Sequence, residues 1–95
     1  MEYSFSNLLI EWRGPAPFYF VALPQKIGDE IALVSKDFSY GWGVIPVIAT
    51  IATVTFTSSL IPKDGSYLLP VKNAVRSRAQ LGLGDLVKVQ LRLGK

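Results

Sequence analysis

Two stretches of this chain carry the same signals in the same order: VALPQKI at 21–27 and YLLPVKN at 67–73. Each joins a run of β-formers to a proline, a short amphipathic segment, a glycine-containing turn and a further apolar run. Laid over one another they share Leu-Pro-x-Lys. The spacing to the next strand is longer in the first copy, through SKDFSYG. Because the order of elements repeats along with the residues, the chain reads as a duplicated strand–helix–strand unit.

The hydrophobic pattern fills in the rest. Tyr3, Phe5, Asn7 and Leu9 alternate with Ser4, Ser6, Leu8 and Ile10, which suits a strand. Trp12–Pro17 holds two prolines and reads as a loop. Phe18–Leu23 is a second strand. Pro24 is suited to the first position of a helix, and Ile27, Ile31 and Val34 share one helical face, with an end near Ser35. Lys36–Trp42 reads as a loop. Val44–Ile51 is a near-continuous apolar strand in which Pro46 suggests a bulge. Val54–Leu60 is another strand, joined through Ala52-Thr53, a tight connection without the usual glycine. Pro62–Gly65 is a turn and Ser66–Leu69 a short strand. Pro70 opens a second helix with Val71, Val75 and Ala79 buried and Ala74 beside them. In Leu86–Leu93 the residues Val87, Val89, Leu91 and Leu93 face inward, while Lys88, Gln90 and Arg92 face water.

At 95 residues this is a single domain, 1–95, with one core. A hydrophobic content of 49% argues against disorder. The chain has no histidine and no cysteine. That removes the commonest general base, the commonest metal ligand, disulfides and thiolate sites. No metal and no cofactor is expected, and the seven carboxylates have no metal-ligand spacing. The net charge of +3 permits a nucleic-acid or acidic partner without demanding one. The N-terminus has no basic leader, and no apolar run is long enough for a membrane span, so a soluble cytoplasmic protein is expected.

The segment GSYLLPVKNAVRSRAQLGLGDLVKVQL resembles the swapped-hairpin unit of AbrB/MazE-type transition-state regulators and antitoxins. Gly65, Leu69, Pro70, Arg76, Leu81, Gly84, Asp85, Val87 and Val89 carry the likeness. In that family two chains interlace to close a double-split β-barrel, and a duplicated chain could close one alone. Over most of its length the chain resembles a family of small bacterial proteins, the domain of unknown function numbered nineteen-oh-five. WRGPAPFYFVALP, TFTSSLIPKDGSYLLPVK and LGLGDLVKVQL are the matching stretches. Ala52-Thr53, lacking glycine, departs from the usual turn. The resemblance implies a double-split-barrel fold and carries no established activity. The expected architecture is therefore mainly β: a small AbrB-like barrel of about six strands with two short helices, closed in one chain by an internal pseudo-repeat.

Two clusters are candidates for binding. Trp12, Arg13, Tyr19, Trp42, Tyr67 and Lys72, with Phe18 and Tyr40 nearby in sequence, offer rings and cations for a small-ligand or anion site near the Trp12-Arg13 loop. Their plainer reading is packing of a small barrel. Lys72, Arg76 and Arg78, with Lys88 and Arg92, offer a phosphate-contacting face of the AbrB type. Their plainer reading is a solvated helix and strand face. A Ser-Lys catalytic pair among Ser58, Ser59, Lys63, Ser66, Tyr67 and Lys72 lacks any recognised spacing. Gly82-x-Gly84 is too short for a phosphate loop and reads as a turn. The expectation is a non-enzymatic binding or interaction domain, a monomer or weak dimer whose partner is a small molecule or a protein. DNA binding is the alternative.

Overall fold

The computed structural model describes residues 1–15, 18–38 and 43–94. Six strands and two helices follow in the order β1 (Glu2–Trp12), β2 (Phe18–Ala22), α1 (Gln25–Phe38), β3 (Ile45–Ile51), β4 (Val54–Lys63), β5 (Ser66–Pro70), α2 (Asn73–Ala79) and β6 (Leu86–Leu93). The strands close a barrel in the order β1-β2-β5-β4-β3-β6, with every neighbouring pair antiparallel.

The two long strands change neighbour partway. β1 pairs with β6 over Glu2–Leu8 and with β2 over Leu9–Trp12. β4 pairs with β3 over Val54–Leu60 and with β5 over Ile61–Lys63. Exchanging β1 with β4, β2 with β5 and β3 with β6 returns the same ring, and the registers obey the exchange. Ile10–Phe20 becomes Ile61–Leu68, Phe5–Val89 becomes Phe56–Ala49, and Phe20–Pro70 becomes Leu68–Ala22. Leu23 N–H donates to Tyr67 O at 3.0 Å, and Val71 N–H donates to Tyr19 O at 2.9 Å, as related bonds. The barrel is a pseudo-twofold repeat closed within one chain.

The repeat is real in topology, but Leu-Pro-x-Lys is not its trace. These registers make Tyr19 the counterpart of Tyr67, Leu23 of Val71, and Pro24 of Lys72. The sequence overlay instead placed Leu23-Pro24 on Leu69-Pro70, two residues out of register. A shift by an even number of residues leaves every side chain on the same face, so alternation cannot detect it.

The same shift explains where the helices begin. Pro70 ends β5 and does not open α2, because Val71 N–H is still bonded across to Tyr19. The helix begins at Asn73 after Lys72. Pro24 likewise precedes α1, which begins at Gln25. α1 also runs past its expected end near Ser35 to Phe38, since Lys36-Asp37-Phe38 contains neither glycine nor proline to stop it. The remaining loop residues 39–42, including Tyr40 and Trp42, lie outside the described residues. α2 ends at Ala79 and is capped by Gln80, whose left-handed backbone (φ 55°, ψ 47°) lets Leu81 N–H reach Arg76 O at 2.9 Å.

Pro46 and Pro62, within β3 and β4, sit where a missing N–H costs nothing. Pro62 pairs with Tyr67 on β5, and its other side lies before β3 begins. β4 thus extends to Lys63, and the turn narrows to Asp64-Gly65, both with positive φ. Pro46 forms no bulge: it pairs in register with Ser59, and its carbonyl accepts Gly94 N–H at 2.8 Å beyond the Val47–Leu93 pair. Ala52-Thr53 closes the β3–β4 hairpin with Ala52 itself at φ 55°.

One buried cluster fills the barrel. Leu9, Val21, Ile45, Leu60, Leu69 and Leu91 come from the strands, Ile31 and Val75 from the helices. Each fully buried leucine or isoleucine contributes about 1.5–3 kcal/mol of transfer free energy. β6 alternates as its sequence requires, with Val87, Val89, Leu91 and Leu93 inside. Ala74, expected beside the buried stripe of α2, is exposed. Among the described residues no helix is long and apolar enough to cross a membrane.

Candidate functional site

The aromatic cluster expected near residues 12–19 does not converge. Trp12 points to the outer face of β1, where its ring meets Phe18 at 5.6 Å between centroids, and Phe18 meets Phe20 at 5.5 Å. The indole also folds over Gly14, so a side chain at that position would strike it. Tyr19 points the other way, since successive residues of a strand face opposite sides. Tyr67 belongs to the buried core, at 8% exposure. Trp42 lies outside the described residues. Arg13 pairs with Glu11, Nε to Oε1 at 2.9 Å, while its side chain stays 85% exposed. It borders a cavity of about 300 Å³ with Leu9, Ile10, Glu11 and Leu83. A neighbouring carboxylate makes that a poor anion site.

The basic residues divide by role. Arg76 is taken up by the fold: its guanidinium carbon lies 3.8 Å over the Tyr19 ring centroid, and Nη1–H donates to Val71 O at 2.6 Å. It clamps the start of α2 to β2. Lys72 and Arg78 are exposed on and before α2. Lys88 and Arg92 face outward from β6, opposite Ser6 and Glu2 on β1. Arg92 shares an open cavity of about 430 Å³ with Glu2, Gln90, Thr50 and Thr55. Its lining carries both signs of charge.

The glycine-aspartate turn before β6 is structural. The Asp85 carboxylate accepts Gly82 N–H at 2.7 Å, and Gly84 N–H donates to Leu9 O at 2.8 Å. These contacts hold the 82–85 turn against β1. Among the described residues no group of three or more carboxylates could hold a metal ion.

A groove of mixed lining lies where β4 parts from β5. Over Val54–Leu60, β4 has a strand neighbour on one side only. The gap on the other side is bridged by Ser58, whose Oγ–H donates to Pro70 O at 3.3 Å, and by α2, which packs on β4. A groove of about 720 Å³ opens there. Pro46, Ile61 and Pro70 give it apolar walls, and Thr57, Ser58 and Ser59 supply hydroxyls. Lys72 is the one charged residue among the described residues that line it. Of the residues singled out from sequence as binding candidates, only Lys72 lines this groove. Sequence reasoning weighs Ser58 and Ser59 only against a catalytic pair with lysine, and Pro46, Ile61 and Pro70 carry no site signal in it.

The related place in the other half is lined differently. Asn7 stands where Ser58 does, and its longer side chain makes the related bond, Nδ2–H to Ala22 O at 2.9 Å. Pro24 stands in place of Lys72. The cavity on that side does not reach Asn7. The lining of this groove, with a hydroxyl at Ser58 and a cation at Lys72, is thus specific to one half.

Comparison with curated proteins gives no match. A family model described as a domain of unknown function, DUF1905, matches residues 5–91. That span runs from the middle of β1 to near the end of β6 and takes in every strand of the barrel. On that match the chain belongs to the DUF1905 family.

Proposed function

We propose that this protein is a non-enzymatic binding domain that takes a small ligand in the groove between β4, the end of β5 and Lys72. The observation that carries this reading is the groove itself: beside β4 it joins mainly apolar walls to a few hydroxyls and, among the described residues, one cation, Lys72, where the other half has Asn7 and Pro24 at the positions of Ser58 and Lys72. The groove's volume lies in the range of small-molecule sites, and a few placed polar groups among apolar walls suit such a site. The absence of histidine and cysteine from the sequence agrees with a binding role. The ligand site moves away from the Trp12-Arg13 loop, because Arg13 is already paired and its rings face different ways.

The test is a two-dimensional amide NMR titration with a mixed panel of small metabolites. Shifts clustered at Thr57–Ser59, Ile61 and Lys72 are expected. Shifts centred on Glu11–Gly14 would return the site to that loop.

DNA binding is the second reading. Lys72, Arg78, Lys88 and Arg92 form no ion pair among the described residues and stay exposed, which leaves them free for phosphates. Fluorescence anisotropy with labelled duplex DNA at low and physiological salt separates the readings. Binding that falls steeply with salt would favour DNA. No binding at low salt would remove it.

A further inference from the structure

We infer that the groove takes an aliphatic monocarboxylate, with its chain against Pro46, Ile61 and Pro70 and its carboxylate facing Lys72. This rests on the groove being the ligand site. Among the described residues the lining has apolar walls and a single cation. No carboxylate among the described lining residues opposes that cation, so a dicationic or zwitterionic ligand would leave its positive group unmatched. An uncharged chain would leave Lys72 unused. A ligand with one anionic end and an apolar body matches both parts of the lining.

The same surface argues against a peptide added as a strand. Peptides that bind alongside a sheet need a free edge. Here the open edge of β4 is occupied by the Ser58–Pro70 hydrogen bond and by α2 packing on β4. A strand could enter only by displacing both. A small carboxylate needs neither change.

The opposite half supplies the control. Because Asn7 makes the bond to Ala22 O that Ser58 makes to Pro70 O, Ser58→Asn can retain the bridge while placing a longer side chain in the groove. The variant is thus expected to keep its thermal midpoint and lose the ligand.

The experiment is an NMR titration of the whole chain with octanoate, octanol and octylamine, which share one chain and differ in head group. Octanoate is expected to bind tightest, with shifts at Ile61 and Lys72. Lys72→Gln should weaken octanoate about three- to fivefold, the size of an exposed ion pair, and leave octanol unchanged. Ser58→Asn should remove both sets of shifts while the thermal midpoint holds. Octanol binding as tightly as octanoate would overturn the carboxylate while leaving a ligand groove in place. So would silence from all three probes when the metabolite panel still moves the groove amides. Undiminished octanoate binding by Ser58→Asn would overturn the placement. Tighter binding by an Ile-Leu-Val tripeptide with a free carboxylate than by octanoate, lost on amidation, would overturn the small-molecule source.

Discussion

The two halves of this barrel, β1-β2-α1-β3 and β4-β5-α2-β6, use the same pairing and different fastenings. Where α1 meets the β4–β5 hairpin, contact is by close approach. Gly28 is buried, and a Cβ there would land on Ser66 Oγ and come within 3.1 Å of Ser66 Cβ. Gln25 Nε2–H adds a bond to Gly65 O at 3.0 Å. Where α2 meets β2, the counterpart of Gly28 is Arg76, and contact is by a cation on a ring. One helix is held because nothing intervenes, the other because a long side chain reaches across. The barrel wall tolerates either, since its stability comes from the shared apolar interior. The ends are therefore where the halves can diverge, and the open groove lies at one of them.

The largest expected effect is at the close contact. Gly28→Val forces α1 off Ser66 and should cost about 2 kcal/mol, lowering the thermal midpoint by roughly 10 °C. Adding Ser66→Ala should recover part of that loss in calorimetry. A midpoint unmoved by Gly28→Val would mean that the helix is not held by proximity. On the other side, Arg76→Ala should cost about 1 kcal/mol in urea unfolding, from the lost ring contact and the bond to Val71 O. Arg76→Lys should recover less than half, because lysine keeps the charge but lacks the planar fork. Equal behaviour of lysine and arginine would reduce the fastening to charge alone.

A smaller effect compares the two hairpins. Asp64-Gly65 places glycine at a positive φ, whereas the β3–β4 turn puts Ala52 there. Left-handed backbone costs a non-glycine residue about 1–2 kcal/mol, and glycine's extra unfolded freedom returns about 0.5–1. Ala52→Gly should therefore stabilise by about 0.5 kcal/mol, read as a rise of a few degrees in the midpoint. The smallest effect is confined to alkaline pH. Burial holds the Tyr3 hydroxyl above its ordinary pKa, and Glu30 on α1 adds to the shift. The unfolded chain then loses this proton first, so the stabilisation is complete below about pH 10 and falls as pH rises through the folded pKa. Tyr3→Phe should match the wild type at neutral pH and unfold at a higher temperature than it above pH 10. Parallel melting curves across that range would remove Tyr3 from the account.

Much of the fold was legible because burial alternates. Val87, Val89, Leu91 and Leu93 could be assigned to the interior directly, as could Phe5 and Leu9. The candidate site was less legible. Rings and cations drew attention to Trp12, Arg13 and Tyr19, yet Trp12 and Tyr19 face opposite sides of the wall, and Arg13 is paired locally. Arg76 read as a free cation because nothing local reveals that Tyr19, far away in sequence, lies beneath it. Ser58 offers no signal in the sequence beyond a Ser-Lys pairing that lacks a recognised spacing. Its significance depends on Pro70 lying opposite and on Asn7 standing at the related position, and neither is a neighbour in sequence.

By itself the sequence determined the class, the strands and the inward faces, since a period of two is a local property of side chains on a pleated backbone. It also determined that the order strand, helix, strand occurs twice. Only the tertiary structure decided the register between the copies. Sliding one strand by two residues preserves every inside and outside, so hydrophobic patterning is blind to the choice. Packing at the ends is not blind to it. Setting Lys72 against Pro24 and Ser58 against Asn7 gives the groove beside β4 a cation and a hydroxyl that the other half lacks at the related positions.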